Sequence, residues 1–384
     1  MRHEFSAVLV GGPPHSGKSV LTYSLTQALR RRQVSHYVLR ACPDGEGDWS
    51  MESPPDTVRL LRDKGLFTDQ WVDRICRDLQ QRHLPLLVDV GGRPTANQQR
   101  ILGCCTHALL LAADPAALPE WRDMMEQQGV AVVAELISTL DGTEAVEGQG
   151  AVLRGRIAGL HRFCTVQGEL FDALVERLVS LLQTDQATLS EAHLRMAPTE
   201  LAVDLERLGR TLELLDPGSH RWHPAALPPL LEYLPAHEPL AVYGRGPGWL
   251  YAALSAYTWP APFWQFDPRL GWVAPATLHR LKAGTSPIVW RVAGGAVPIL
   301  EAVLNTAYVE HTELEGTGVP DIDVSGGLVF SGKLPYWVLT GLVRSYTDAP
   351  WIAAYRPQEE NAIVVVARGF AHRVGDILDL KRWV

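Results

Sequence analysis

No stretch of this chain approaches the roughly 18 consecutive apolar residues that a membrane-spanning helix needs. The opening residues, MRHEFSAVLVGG, lead straight into a buried strand without the apolar core and cleavage site of a signal peptide. A cytoplasmic protein with no membrane partner is expected. Basic excess is also missing: 35 Lys and Arg stand against 43 Asp and Glu, a formal net charge of −8. Binding along duplex DNA needs a basic surface, so that partner is excluded, while a small, locally basic nucleotide pocket stays open. Cysteine is scarce. Cys42, Cys76, Cys104, Cys105 and Cys164 all lie in the first half and none forms a metal-ligand spacing, so they read as reduced, mostly buried small hydrophobes. Low-complexity tracts are absent too, and 46% hydrophobic with 20% charged residues is globular composition. A chain of 384 residues is too long for one ordinary core, and three domains are expected.

What is present begins with AVLVGGPPHSGKSVLTYSLTQALRRR: an apolar strand, a Gly/Pro loop and a helix-periodic run. Gly12, Pro13, Pro14, His15, Ser16, Gly17, Lys18 and Ser19 fit GxxxxGK[ST] between strand and helix. In that setting successive backbone N–H groups wrap phosphate oxygens, the helix start adds partial positive charge, Lys18 reaches the terminal phosphates and Ser19 ligates Mg²⁺. A second metal-side acid is expected at the end of a neighbouring parallel strand, and LPLLVDVGG supplies Asp89, with Gly91 and Gly92 letting the chain turn close to the phosphates. No guanine-specific NKxD follows, so ATP is the default nucleotide, with Mg²⁺ or Mn²⁺. Strands at 35–41, 107–114 and 130–138, alternating with helices near 55–82, 95–104 and 117–128 and closed by an amphipathic helix at 171–183, imply a parallel sheet.

Two features of this segment read either way. Asp44, Glu46 and Asp48 in CPDGEGDWS could include a base for an acceptor hydroxyl, Asp44 first, or form a solvated turn. Arg154, Arg156 and Arg162 could cover a transferred phosphoryl group or line the solvent face of a helix, the reading preferred here. His220, His223 and His237 sit near a loop entering a helix and lack a third ligand at fixed spacing.

The second half repeats itself. GRGPGWLYAALSAYTWPAPFWQFDPRLG starts at Gly244, and GKLPYWVLTGLVRSYTDAPWIAAYRPQEEN starts at Gly332. Pro247 and Pro335, Trp249 and Trp337, Leu254 and Leu342, and Ala261 and Ala349 match at one constant offset. That is a duplicated module of strand, Gly-containing turn, helix and strand, with a preceding helix expected at ALPPLLEYL in one copy and PILEAVLN in the other. Gly244, Arg245 and Gly246 let backbone N–H groups face a ligand at a helix start, and Lys333 keeps the charge in the second copy. After a one-residue slip, Asp267-Pro268-Arg269 becomes Arg356-Pro357-Gln358. Trp249 and Trp337 read as core or as base-stacking platforms.

On these residues the chain resembles the small type III CRISPR-associated accessory proteins, the third of the Csx families. The resemblance covers about 195–384, and the layout is similar to forms with an attached P-loop domain. It implies Rossmann-like α/β domains that form dimers and higher assemblies, ring nuclease action on cyclic tetra-adenylate, and manganese-dependent RNA deadenylation. Carried over by position, it implies catalytic roles for Asp267 and Arg269 and ligand contacts for Gly244, Arg245, Gly246, Lys333 and Tyr346. The family histidine after the helix-end tyrosine is absent, since Thr347 follows Tyr346 and Thr258-Trp259 follow Tyr257, and another is replaced around Arg368 and Gly369.

The expected architecture is α/β: a P-loop domain with a parallel sheet over 1–190, then two small Rossmann-like repeats over 195–282 and 283–384. The expected function is ATP hydrolysis coupled to binding, and degradation in the fullest form, of a cyclic oligoadenylate or short RNA by a homo-oligomer. A nucleoside or small-molecule kinase with regulatory repeats, and a non-catalytic nucleotide sensor, are the alternatives.

Overall fold

A computed structural model describes residues 5–42, 68–92, 94–161, 164, 166–216, 218–219, 221–281, 288–295, 297–304, 309, 311–314 and 316–379. The chain divides into two compact units, Met1–Leu189 and Ser190–Val384.

In the first unit the elements run β1 (Ala7–Gly11), α1 (Lys18–Arg31), β2 (Tyr37–Arg40), α2 (Asp69–Gln80), β3 (Leu86–Asp89), α3 (Ala96–Leu102), β4 (His107–Ala112), α4 (Leu118–Gln127), β5 (Ala131–Thr139), β6 (Ala145–Gln149), β7 (Leu153–Ala158) and α5 (Glu169–Leu182). They build one sheet in the order β2-β3-β1-β4-β5-β7-β6, parallel except for the last strand. Alternation along β1 explains the layering. Val8 and Val10 join Leu21, Leu25 and Leu29 of α1 and Leu170, Leu174 and Leu178 of α5 in one core. Ala7 and Leu9 point the other way, into a second core with Val72, Ile75, Leu79, Ile101, Trp121 and Met125. Helices on both faces are what a parallel sheet of continuous apolar strands requires. Burial pushes the Cys76 thiol up to about 11 and the Cys105 thiol to about 12, so both stay protonated and inert.

One sequence expectation fails here. The start of LRGRIAGLHR is not helical: Leu153–Ala158 is a strand, with Leu153, Gly155 and Ile157 inward and Arg154 and Arg156 outward. Arg154 Nε reaches Glu135 Oε2 at 2.9 Å, and Arg122 reaches Glu135 Oε1 at 2.5 Å and Oε2 at 2.9 Å. Burial opposes ionisation of Glu135, but the two guanidinium groups outweigh it and hold the carboxyl below its usual 4.5. A lowered folded-state value means stability that is present above the unfolded value and lost as pH falls through the folded one. Glu135→Gln should therefore destabilise the first unit at pH 7 in urea titrations, and the deficit should shrink below about pH 4. A deficit independent of pH would show that the ion pairs are not its source.

The second unit begins within α6 (Gln186–Arg195). It continues with β8 (Ala202–Asp204), α7 (Leu205–Thr211), α8 (Leu227–Tyr233), β9 (Leu240–Tyr243), α9 (Gly248–Thr258), β10 (Phe263–Asp267), β11 (Gly271–Val273), β12 (Leu278–Leu281), β13 (Ile288–Ala293), β14 (Ile299–Leu304), β15 (Thr317–Pro320), β16 (Leu328–Gly332), α10 (Tyr336–Ser345), β17 (Trp351–Arg356), β18 (Asn361–Ala367) and β19 (Ile377–Asp379). One sheet runs β11-β10-β9-β8, another β13-β14-β16-β17-β18-β19, and β12 pairs with β15. The starts of β9, α9 and β10 recur at the same offset as β16, α10 and β17. The pairing recurs as well: β8-β9-β10 and β14-β16-β17 are parallel, and each ends in an antiparallel hairpin.

Two expectations change in this unit. The preceding helix exists in the first copy, as α8, but Ile299–Leu304 within PILEAVLN of the second is β14, because it is held between β13 and β16. The two repeats are also not separate domains over 195–282 and 283–384, since one core contains α9, α10 and strands of both sheets. α9 is apolar almost all round and packs on α10, β17 and β18, so neither copy buries its helix alone.

Candidate functional site

β1 delivers the Gly12–Ser19 loop to the carboxyl edge of the first sheet, where the strand order reverses and ligands of such sheets bind. Gly12 (φ 143°), His15 (φ 61°) and Gly17 (φ 88°) take positive φ, the alternation that turns successive N–H groups toward a common centre. A Cβ at Gly12 would overlap the carbonyl oxygen of Leu111, and one at Gly17 would lie 2.7 Å from Leu160 Cδ1. Ser16 is buried and donates to the Pro13 carbonyl at 2.9 Å, which closes the loop on itself. Lys18 opens α1 and is nearly buried; its Nζ donates to the carbonyls of Gly12 (2.9 Å) and Pro13 (2.7 Å), so the ammonium lies over the loop.

Asp89 ends β3, in register with Val10 of β1, and Ser19 Oγ donates to its Oδ2 at 3.3 Å. A hydroxyl and a carboxylate at that spacing form a hard-oxygen donor set of the kind Mg²⁺ or Mn²⁺ takes together with phosphate oxygens and water. Gly92 packs on the loop: a Cβ there would sit 2.6 Å from Pro14 Cγ. The Gly91-Gly92 turn therefore borders the loop. Asp44, Glu46, Asp48 and Arg162 lie outside the described residues. Leu160 over Gly17 escaped sequence reasoning, because a lone apolar residue after a strand carries no signal of its partner.

In the second unit Gly244 (φ 104°) and Gly332 (φ 122°) occupy equivalent left-handed positions, where strand gives way to helix. Tyr251 donates to the Gly244 carbonyl at 2.6 Å and holds the first turn in place. The two helices begin beside each other, since a Cβ on Gly248 of α9 would stand 3.2 Å from Tyr336 Cε1 and Leu339 Cδ2 of α10. Further along, Ser255 Oγ donates to the Thr340 carbonyl at 3.2 Å, so α9 and α10 run the same way and their positive ends share one face. Arg245 and Lys333 are exposed just ahead of those ends. Asp267 lies two residues beyond the Gln265–Val242 pair, as Gly244 does on β9, which puts the DPRLG hairpin at that same edge. Asp267 Oδ1 accepts from the N–H of Arg269 (2.8 Å) and Leu270 (3.3 Å) and shapes the turn that presents exposed Arg269.

Tyr346 corrects the expectation of a ligand contact. It is fully buried at the other end of α10, donates to the Pro320 carbonyl at 2.5 Å and has Arg280 over its ring at 5.0 Å. Trp249 and Trp337 are core residues and not stacking platforms. His223 meets Asp216 and His237 meets the Trp259 carbonyl, and no group of three metal-ligating side chains occurs among the described residues.

The first unit thus has a P-loop α/β fold, defined by the sheet order and by the Gly12–Ser19 loop facing Asp89. Residues 303–379, within the second unit, match the family model of the CRISPR-associated protein Cas_csx3. No curated protein matches the chain. Among solved structures, it is similar at 15% identity and a TM-score of 0.27 to the signal recognition particle receptor FtsY from Elizabethkingia anophelis. Chloroplast FtsY from Physcomitrella patens follows at 14% identity and a TM-score of 0.25. Each alignment spans 46% of this chain and 66% of the receptor, just short of two thirds of that protein's length. Likeness at that level carries no argument, and the P-loop assignment stands on the loop's own geometry. Among the described residues, no helix is long and apolar enough to cross a membrane.

Proposed function

We propose that this chain is a nucleotide-responsive accessory protein of type III CRISPR defence. The first unit binds ATP with Mg²⁺ and hydrolyses it, and the second binds a cyclic oligoadenylate, with cyclic tetra-adenylate as its reference ligand. The observation that carries the second part is the parallel start of α9 and α10, which sets two positive helix ends, Arg245, Lys333 and the Arg269 hairpin on one edge. The Cas_csx3 match over 303–379 supports the same assignment. A ring of phosphates meets there what two identical subunits would otherwise present, and the tandem copy makes that pairing within one chain.

In the first unit Lys18 and the loop N–H groups hold the terminal phosphates, and Ser19 and Asp89 would hold the metal ion, which supplies charge neutralisation when bound. In the second, the chemistry the edge can serve is attack of a ring 2′-hydroxyl on its adjacent phosphate, which breaks the P–O5′ bond and leaves a linear chain with a 2′,3′-cyclic phosphate, the departing 5′-oxygen taking up the proton that the 2′-hydroxyl releases. Arg245, Arg269 and Lys333 align that phosphate and stabilise its developing charge.

Replacing Arg245 and Arg269 together by Ala should weaken binding of cyclic tetra-adenylate by a few kcal/mol, because charge-assisted phosphate contacts are lost. Both side chains are exposed, so the melting temperature should hold. Isothermal titration checks this, and unaltered affinity would move the ligand elsewhere.

A further inference from the structure

A cavity of about 250 Å³ opens in the second unit, away from the helix starts. It lies among the turn joining α9 to β10, the segment leading into β12, and the last turn of α10. Trp259, Phe263, Trp264, Pro275 and Thr277 line it together with Arg344, and among the described residues no acidic side chain does. Arg344 is fixed by neutral partners only. Its Nε donates to the carbonyl (3.1 Å) and the hydroxyl (2.9 Å) of Ser255, and Nη2 donates to Thr258 Oγ1 (2.8 Å) and the Ala261 carbonyl (3.0 Å). Its guanidinium carbon sits 5.3 Å from the Trp259 ring centre and 5.8 Å from that of Phe263.

Nη1, with two N–H donors, has no protein acceptor among the described residues. A half-buried guanidinium with no carboxylate among its partners is costly to keep charged, and burial pulls its pKa down to about 10. An anion would offset that cost. Capping the end of α9 needs only Nε and Nη2. The repeat-equivalent position in α9 is Ala256, so the arginine is no part of the architecture shared by the two copies.

We propose that this cavity is a binding site for a small aromatic anion, whose ring lies among the indole and phenyl walls and whose carboxylate or phosphate is taken by Arg344 Nη1. A planar fork over aromatic faces is the arrangement that binds such groups directionally. The volume falls below the roughly 300 Å³ at which pockets for drug-sized ligands begin, so it suits a single ring and not a dinucleotide. Trp259 is 42% exposed, which leaves the site open to solvent. Nothing in it depends on the oligoadenylate face.

Isothermal titration of the full chain with benzoate and with phenyl phosphate, and with benzyl alcohol as the neutral ring, tests the site. At least one anion should bind saturably and at least about tenfold more tightly than the alcohol, and the preferred anion identifies carboxylate or phosphate as the group taken. Arg344→Gln should weaken that binding at least about tenfold, the loss expected for a charge-assisted contact. Thr277 is exposed at the lining, so Thr277→Trp should block binding with the melting midpoint unchanged; this variant decides the matter if Arg344→Gln fails to fold. Absence of binding by both anions, equal binding of the alcohol, or affinity unchanged in the variants that fold would overturn the proposal.

Discussion

Lys18→Ala should reduce ATP turnover at least ~100-fold at saturating ATP and Mg²⁺, the loss that follows removal of one preorganised charge from a transferring phosphoryl group. Its hydrogen bonds to the carbonyls of Gly12 and Pro13 lie within the loop, so the melting midpoint should fall by less than about 5 °C. Loss of turnover with a retained fold places the defect in chemistry and phosphate binding. Turnover equal to that of the unaltered protein would remove the P-loop from the reaction altogether.

Trp337→Ala should produce the largest loss of stability. The indole is fully buried in the core that α9, α10 and both sheets share, and truncating such a group costs about 3–5 kcal/mol through lost transfer energy and an unfilled cavity. Its Nε1 is buried without a hydrogen-bond partner, so Trp337→Phe should cost clearly less, because it removes an unsatisfied donor along with part of the ring. Urea titration of both variants checks the order. Because the core belongs to the second unit only, ATP binding by the first should survive, and its loss in Trp337→Ala would show that the two cores are not independent.

The P-loop was legible in the sequence because each of its requirements is local: glycines where φ turns positive, a lysine and a hydroxyl at the helix start, and an acid closing an apolar run. The strand–helix alternation of the first unit was legible for the same reason. Leu153–Ala158 was misread although Leu, Gly and Ile alternate with Arg there, since two glycines and three arginines across the longer stretch obscured the period of two. PILEAVLN has apolar residues at spacings that suit either element, and only its neighbours β13 and β16 decide for a strand.

The repeat was visible as matched residues, but the sharing of one core was not. α9 has no polar face, which says that it is buried and not against what. Tyr346 shows the same limit: a tyrosine at a helix end presents a ring and a hydroxyl that serve a ligand or a core equally well. Here Arg280 and the Pro320 carbonyl take both. Arg344 gave no sequence signal at all, because its environment comes from the other repeat.

The central claim is that the second unit recognises a cyclic oligoadenylate at the edge where α9 and α10 begin. Its most direct test is equilibrium titration of the full chain with cyclic tetra-adenylate, followed by chromatography of the nucleotides recovered. The account predicts saturable binding that an excess of linear tetra-adenylate displaces poorly and that Lys18→Ala leaves intact. Failure of the ring to bind saturably, or displacement by any linear adenylate of equal charge, would contradict it.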